Sequence, residues 1–419
     1  MGTLYLIVKR SLARHAFSSC VTVAASALAA GLVLAVFAIS AESRRAFTGG
    51  SIGFDAVLGA RGSPLQLVLN TVYHLETSPG NLSWSQYEAA RDDPRVELAL
   101  PYAVGDSYRG FRVVGTTPEV FTRFELHEGE TFRFQGQGVP FEPSRREAVL
   151  GATVARALGL GRGSRIRPEH GVAVPAGHAL EHEEEFVVVG VLEPTNTPSD
   201  RVIWIPIEGV FRMGGHVLRG AGEEFEAEVG EAIPVRHKEV SAVLIKFAGP
   251  QAGFQLQQKF NRAGSTATLA WPIGRSIAEL FDKLGWVNRV LELLSYVVCL
   301  VAAAGILASL TNTMNERRLE FAILRALGAR RRTVFAAIVL ESSAIAGLGA
   351  VLGFAIYAIL FFVVAYLVEE RTGVIVQLFE FHPAFLLAPL GMVFLGALAG
   401  LLPAWKAYST DVATNLSSV

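Results

Sequence analysis

The stretch Asn315–Arg332, NERRLEFAILRALGARRR, carries six arginines and lies between two long apolar runs. A basic segment in that setting marks the place where a chain leaves a bilayer and turns back into it. Four segments are free of charge for long enough to span: Ala16–Ala41, Leu293–Asn315, Ser342–Val368 and Pro383–Trp405. Each exceeds the roughly 20 apolar residues that a spanning helix needs. The composition agrees, with 51% hydrophobic residues, 18% charged and a mean hydropathy of +0.39, too apolar for an ordinary soluble chain. The net charge of −1 supplies no overall field for a nucleic acid. Cys20 and Cys299 both fall in apolar runs and read as small packing residues rather than a disulfide. The first run ends in AISAES (38–43), which resembles a cleavage site. Its uncharged length exceeds the about 7–15 residues of a signal core, so a retained span is expected.

Charge asymmetry orients the spans. Lys9, Arg10 and Arg14 precede the first. Arg317, Arg318, Arg325, Arg330, Arg331 and Arg332 lie between the second and third, and Lys406 follows the fourth. The loop between the third and fourth spans carries Glu369, Glu370, Arg371 and Glu380. The positive-inside rule puts both termini and the arginine loop in the cytoplasm and 42–288 outside, as in a multi-pass protein of the cell inner membrane. The expected division is 1–41 for the N-terminus and first span, 42–275 for an outer domain, and 276–292 for a stalk. The second span follows at 293–314, then a cytoplasmic helix at 315–332 and the third span at 333–368. A short outer loop (369–382), the fourth span (383–405) and a tail (406–419) complete it.

The outer region reads as an α+β domain. FRVVGTT (111–117), EFVVVGVL (185–192), RVIWIPI (201–207) and VSAVLIKF (240–247) are rich in β-branched and aromatic residues and bounded by turn formers. In 146–166, Val154, Ala157, Leu158 and Leu160 follow helical spacing, and Gly159–Gly163 ends the helix. In 59–84, Leu65, Val68, Leu69, Val72 and Leu75 share one helical face, as expected of a core helix; Tyr73, Trp84 and Tyr87 could instead anchor at a membrane interface. The stalk repeats Ile277, Leu280, Phe281, Leu284, Val287 and Leu291 at helical steps. Its stripe would pack on the helical extension after the first span, on a second copy of the chain or on its own domain; periodicity does not choose.

Enzymatic signatures are absent. There is no G-x-x-x-x-G-K-[ST] phosphate loop, and the outer region has no H-E-x-x-H and no convincing carboxylate pair. Glu341 enters the third span only nine residues after Arg332, at headgroup depth, where pairing with an arginine is expected. Five of the nine histidines fall in 170–237: His170, His178, His182, His216 and His237. His178 and His182 are four apart, so a helical turn would aim both rings the same way, with His170 or a glutamate as a third ligand. Imidazole and carboxylate at that spacing suit Zn²⁺ or another divalent ion. The competing reading is a solvated acidic loop, since Glu181, Glu183, Glu184 and Glu185 crowd beside them.

The opening stretch has a setting but not a single stripe. Leu319, Ile323 and Leu327 share a face at steps of four, Phe321 and Leu324 lie beside it, and Gly328 caps the helix before more arginines. A helix lying among anionic headgroups would explain the arginines. It would not explain LRALGA, where the helix end is fixed. NERRLEFAILRALGARRRTVFAAIVLESSAIAGLGAVLG closely resembles the ERR-E-AILRALGA signature of MacB/FtsX-like permeases of ABC transporters. LAGLLPAWKAYSTDVATNL (398–416) resembles that family's ending, LIVKRSLARHAFSSCVTVAASALAAGLVLAV its first span, and EAVLGATVARALGLGRGSRI part of its extracytoplasmic core domain. The resemblance implies four spans, a partner ATPase using ATP and Mg²⁺, and a homodimer of permease subunits. It also implies a coupling helix formed by Glu316, Arg317, Leu319, Glu320, Ile323, Leu324, Arg325, Leu327 and Gly328. On this reading the chain is a non-catalytic subunit with no cofactor of its own unless the histidines hold Zn²⁺, and a periplasmic adaptor or binding protein is a further expected partner. The alternative is an FtsX-like regulator that activates an extracytoplasmic enzyme such as a cell-wall hydrolase.

Overall fold

The computed structural model describes residues 2–48, 53–127, 129–171, 181–226, 232–316, 323, 325, 328–373 and 381–409. The chain divides into two compact units. One holds the membrane helices, and the other comprises Arg44–Lys283 with Leu367–Val376.

Four helices in the membrane unit are long and apolar enough to span: Ala16–Arg45, Gly285–Met314, Arg331–Thr372 and Ala384–Tyr408. Small residues set how closely they pack. A Cβ added at Gly349 would lie 2.4 Å from Ser26 Cβ, and one at Gly353 would lie 2.7 Å from Ala30 Cβ. At Gly31 it would meet Ile356 Cβ at 2.7 Å. The small-residue face of the first span is thus filled by the third span of the same chain, the close approach that such residues permit. Glu341 is buried in this bundle and accepts a hydrogen bond from Ser11 on the preceding helix Gly2–Arg14.

The outer unit is built on a mixed ten-stranded sheet. Its strands are β1 (Ala56–Ala60), β2 (Val96–Tyr108), β3 (Phe111–Thr116), β4 (Glu147–Leu150), β5 (Arg165–Ile166), β6 (Glu169–His170), β7 (Phe186–Val191), β8 (Val202–Pro206), β9 (Ala242–Phe247) and β10 (Ala267–Ala270). They lie in the order β10-β1-β9-β2-β3-β8-β4-β7-β5, with β6 paired to β2. The β3–β8 and β4–β7 pairs are parallel and the others antiparallel.

Both faces of the sheet are covered. Leu58, Val113, Leu150, Ile203 and Ile245 face one core, and Val57, Val114, Val149, Trp204 and Leu244 face the other. Alternation along a pleated strand sends neighbours to opposite sides. With both sides buried, the strands read as continuous apolar runs rather than alternating ones. Helices Trp84–Arg91, Ala152–Leu158, Ile207–Phe211 and Ala252–Phe260 contribute Tyr87, Val154, Phe211 and Leu256 to the first core. Helices Pro64–Thr71 and Ile273–Lys283 contribute Leu67, Val68, Ile273 and Ile277 to the second.

Two sequence alternatives are resolved by this packing. Leu67, Val68, Val72 and Tyr73 are buried, as is Tyr87, and Trp84 packs against the first core, so 59–84 forms core rather than membrane anchors. Leu75 leaves the expected face and is exposed. The amphipathic stretch after 272 is not one continuous stalk: a helix ends at Lys283 and another starts at Gly285. Ile277 and Phe281 pack on the outer domain itself, because the first of these helices lies along its second core.

Candidate metal centre

β2 is apolar along most of its length and breaks pattern at Asp106, which is buried. The cause is a bulge: the β2–β3 register shifts between Val104 and Asp106, with Gly105 as the inserted residue. Bulges re-aim side chains, and this one leaves a carboxylate inside the domain. β6 runs antiparallel beside it and sets His170 directly opposite Asp106. The chain returns at His182, whose N–H donates to Pro168 O at 2.9 Å, while Glu169 and Glu181 bridge. A tight turn then brings in His216: its N–H donates to Met213 O at 3.1 Å, and Gly215 supplies φ +85°. Glycine adopts that left-handed conformation without steric cost.

Three imidazoles therefore converge on one carboxylate oxygen. Asp106 Oδ1 lies 3.2 Å from His182 Nε2, 3.2 Å from His216 Nε2 and 3.6 Å from His170 Nδ1. No two of these four atoms are further apart than 4.8 Å. Asp106 and His182 are buried, His216 is nearly so, and His170 is 56% exposed at its side chain. Burial would raise the Asp106 carboxyl, but the hydrogen bonds and charges of His182 and His216 outweigh it and hold the group down to about 2. Hydrogen bonding to Asp106 raises His182 against its own burial. On its other side His182 Nδ1 donates to Gly214 O at 3.0 Å, and Gly214 N–H donates to Glu184. A backbone acceptor at Nδ1 holds the ring with Nε2 facing the cluster, the usual outer support of a metal-ligating histidine. His170 and His216 also line an open cavity of about 340 Å³ with Asn81, Arg219, Glu239 and Ser241.

The expected trio of His170, His178 and His182 is met only in part. His170 and His182 come together, whereas His178 lies outside the described residues. Residues 181–185, the described part of that stretch, are non-helical, and Glu181 bridges to Glu169 in β6. The solvated-loop reading does not hold for His182, which is 7% exposed. Asp106 and His216 were missed. Beyond the place of His216 among the histidines of 170–237, their sequence signals are an acid after a glycine in an apolar strand (AVGDSY) and a Gly-Gly-His turn (MGGHV).

Of the coupling residues, Glu316 closes the helix of the second span, Ile323 is 46% exposed, and Gly328 has φ +98° with its N–H on Arg325 O. Arg317, Leu319, Glu320, Leu324 and Leu327 lie outside the described residues.

An α+β domain set between the first and second of four spanning helices defines a polytopic membrane protein with one large outer domain. Residues 19–261 match the MacB-like periplasmic core domain family, and residues 292–412 match the FtsX-like permease C-terminal family. The chain belongs to the MacB/FtsX-like permeases of ABC transporters. It is 25% identical over 291 residues to the macrolide export ATP-binding/permease protein MacB of Azoarcus sp. (strain BH72), a match covering 65% of this chain and 37% of that protein. The chain thus spans little more than a third of that relative's length. Among solved structures, the periplasmic region of MacB from Actinobacillus actinomycetemcomitans covers 56% of this chain and 94% of its own, at 10% identity and TM-score 0.33. The extracellular domain of the ABC-type transporter YknZ from Gram-positive bacteria covers 51% and 98%, at 12% identity and TM-score 0.29.

Proposed function

We propose that the chain is the permease subunit of an ABC transporter in which a separate nucleotide-binding subunit drives movement of the outer domain. The observation that carries this reading is the insertion of the α+β domain between the first and second spans, ahead of an FtsX-like region that contains the other three. Two spans lead into the outer domain, so a push on the cytoplasmic side reaches it through helices and needs no pore. The 419 residues contain no phosphate loop, in keeping with a reading in which ATP is hydrolysed by a separate subunit. Both termini and 315–332 face the cytoplasm, two copies pair, and the arginine-rich helix docks in a groove of the ATPase. Leu319, Ile323 and Leu327 fill that groove, with the arginines at its rim.

The test is co-purification with a candidate nucleotide-binding subunit co-expressed with this chain. Ile323→Asp or Leu327→Asp places a charge in an apolar groove at a cost of several kcal/mol and abolishes partner binding. Arg317→Ala does less, since rim charges contribute about 0–1 kcal/mol. Full retention of the ATPase by both aspartate variants would remove the coupling role from this helix.

A further inference from the structure

We propose that Asp106, His170, His182 and His216 bind one divalent transition-metal ion of the Zn²⁺ class, in a four-coordinate site that exchanges its ion through the adjoining cavity. The donor set is three imidazole nitrogens and one carboxylate oxygen, which suits Zn²⁺ and its neighbours rather than Ca²⁺ or Mg²⁺. The spacing fits as well. Metal–ligand distances of about 2.0–2.2 Å in a tetrahedron place ligand atoms about 3.3–3.6 Å apart. The three distances from Asp106 Oδ1 to ring nitrogens, 3.2, 3.2 and 3.6 Å, match those edges. The remaining edges, none above 4.8 Å, close by at most about 1.5 Å. His170, more than half exposed, has the freedom to make that movement.

Hydrogen bonding among the four residues accounts for less. With Nδ1 committed to Gly214 O, a neutral His182 turns its Nε2 lone pair toward the lone pairs of Asp106 at 3.2 Å. Two acceptors then face each other in a buried site, so either a proton or a metal ion sits between Nε2 and Asp106 Oδ1. Hydrogen bonding alone would crowd three ring N–H groups, from rings with centroids only 5.0 to 5.5 Å apart, onto a single carboxylate oxygen. One divalent ion accepts all four lone pairs and leaves the rings neutral. The ligands come from β2, β6, the chain before β7 and the 213–216 turn, so the ion also ties four separate segments together. Because His170 and His216 line an open cavity, the ion reaches solvent without unfolding of the domain.

The experiment uses the purified full-length chain in detergent, stripped with EDTA and titrated with Zn²⁺ and, separately, with Co²⁺. One Zn²⁺ per chain, a rise in melting temperature and the intense visible absorption of four-coordinate Co²⁺ are expected. EDTA should then remove the ion from folded protein. His170→Ala, His216→Ala and Asp106→Asn each weaken Zn²⁺ by at least the roughly 10–100-fold that loss of an outer-shell partner costs. His178→Ala leaves affinity unchanged. The exposure of His170 makes its variant safe for folding, so the test stands even if Asp106→Asn misfolds. Wild-type protein with only octahedral Co²⁺ absorption, or equal Zn²⁺ affinity in the wild type, His170→Ala and His216→Ala, would overturn the site. Loss on His178→Ala with retention on His216→Ala would equally reject this ligand set. None of these readouts depends on ATPase coupling.

Discussion

Asp93 shows what one buried charge does for the outer domain. Its carboxylate accepts from Arg95 Nη2 at 2.7 Å and Nε at 2.8 Å, from the Arg95 backbone N–H at 3.1 Å and from Lys259 Nζ at 2.7 Å. It thereby clamps the entry to β2 onto helix Ala252–Phe260. The Arg95 hydrogen bonds, aided by Lys259, hold the carboxyl well below its usual range against burial. A depressed folded-state value stabilises above the unfolded value of about 3.9, and the benefit is lost as pH falls through the folded value. Asp93→Ala should cost about 1–3 kcal/mol at neutral pH. Wild-type melting temperature should also drop more steeply than that of Asp93→Asn as pH falls from about 5 to 2. Parallel pH profiles for the two proteins would rule this clamp out. The pairing is hard to read in the sequence, because Lys259 lies 166 residues away.

Among the elements, the crossing of the first and third spans rests on backbone contact at Gly349 and Gly353. Gly349→Val or Gly353→Val forces side chains into Ser26 and Ala30, with an overpacking cost of about 1–3 kcal/mol that appears as a lower melting temperature in detergent. Gly391→Ala, where an added Cβ meets nothing within 4 Å, is the control and should melt like the wild type. If the valine variants match that control, the close crossing is not what holds the bundle. AASALAAG (24–31) announces a close-packing face, but small residues at steps of three and four fit any helix that approaches. The structure assigns the face to the third span. The strands 111–116, 186–191, 202–206 and 242–247 were legible as apolar runs between turn signals. β2 was not, because AVGDSY puts a glycine and an acid into its second half.

For the whole molecule, the question is where a second copy meets the first. Ile277 is 1% exposed and committed to its own domain, whereas Trp286, Val290 and Leu294 on the helix of the second span are 66%, 46% and 51% exposed. The assembly proposed for this permease pairs two copies along that helix. Val290→Cys or Leu294→Cys should give disulfide-linked dimers in native membranes, and Ile277→Cys should not. Failure of every exposed position to crosslink would turn this band over to lipid.

The sequence by itself determined the four spans, the outer domain between the first two and the family. These follow from local quantities: the length of uncharged runs, a signature carried by consecutive residues, and periodicity within single elements. Two of the four clustered polar residues, His170 and His182, could be suspected because they are near each other in the chain. Asp106 and His216 could not. Their proximity depends on a bulge in β2, on the pairing of β6 with β2 and on a glycine turn after residue 212. Only tertiary structure decides such a site, because its geometry is set by strand register and turn conformation, and neither leaves a spacing that the linear sequence records.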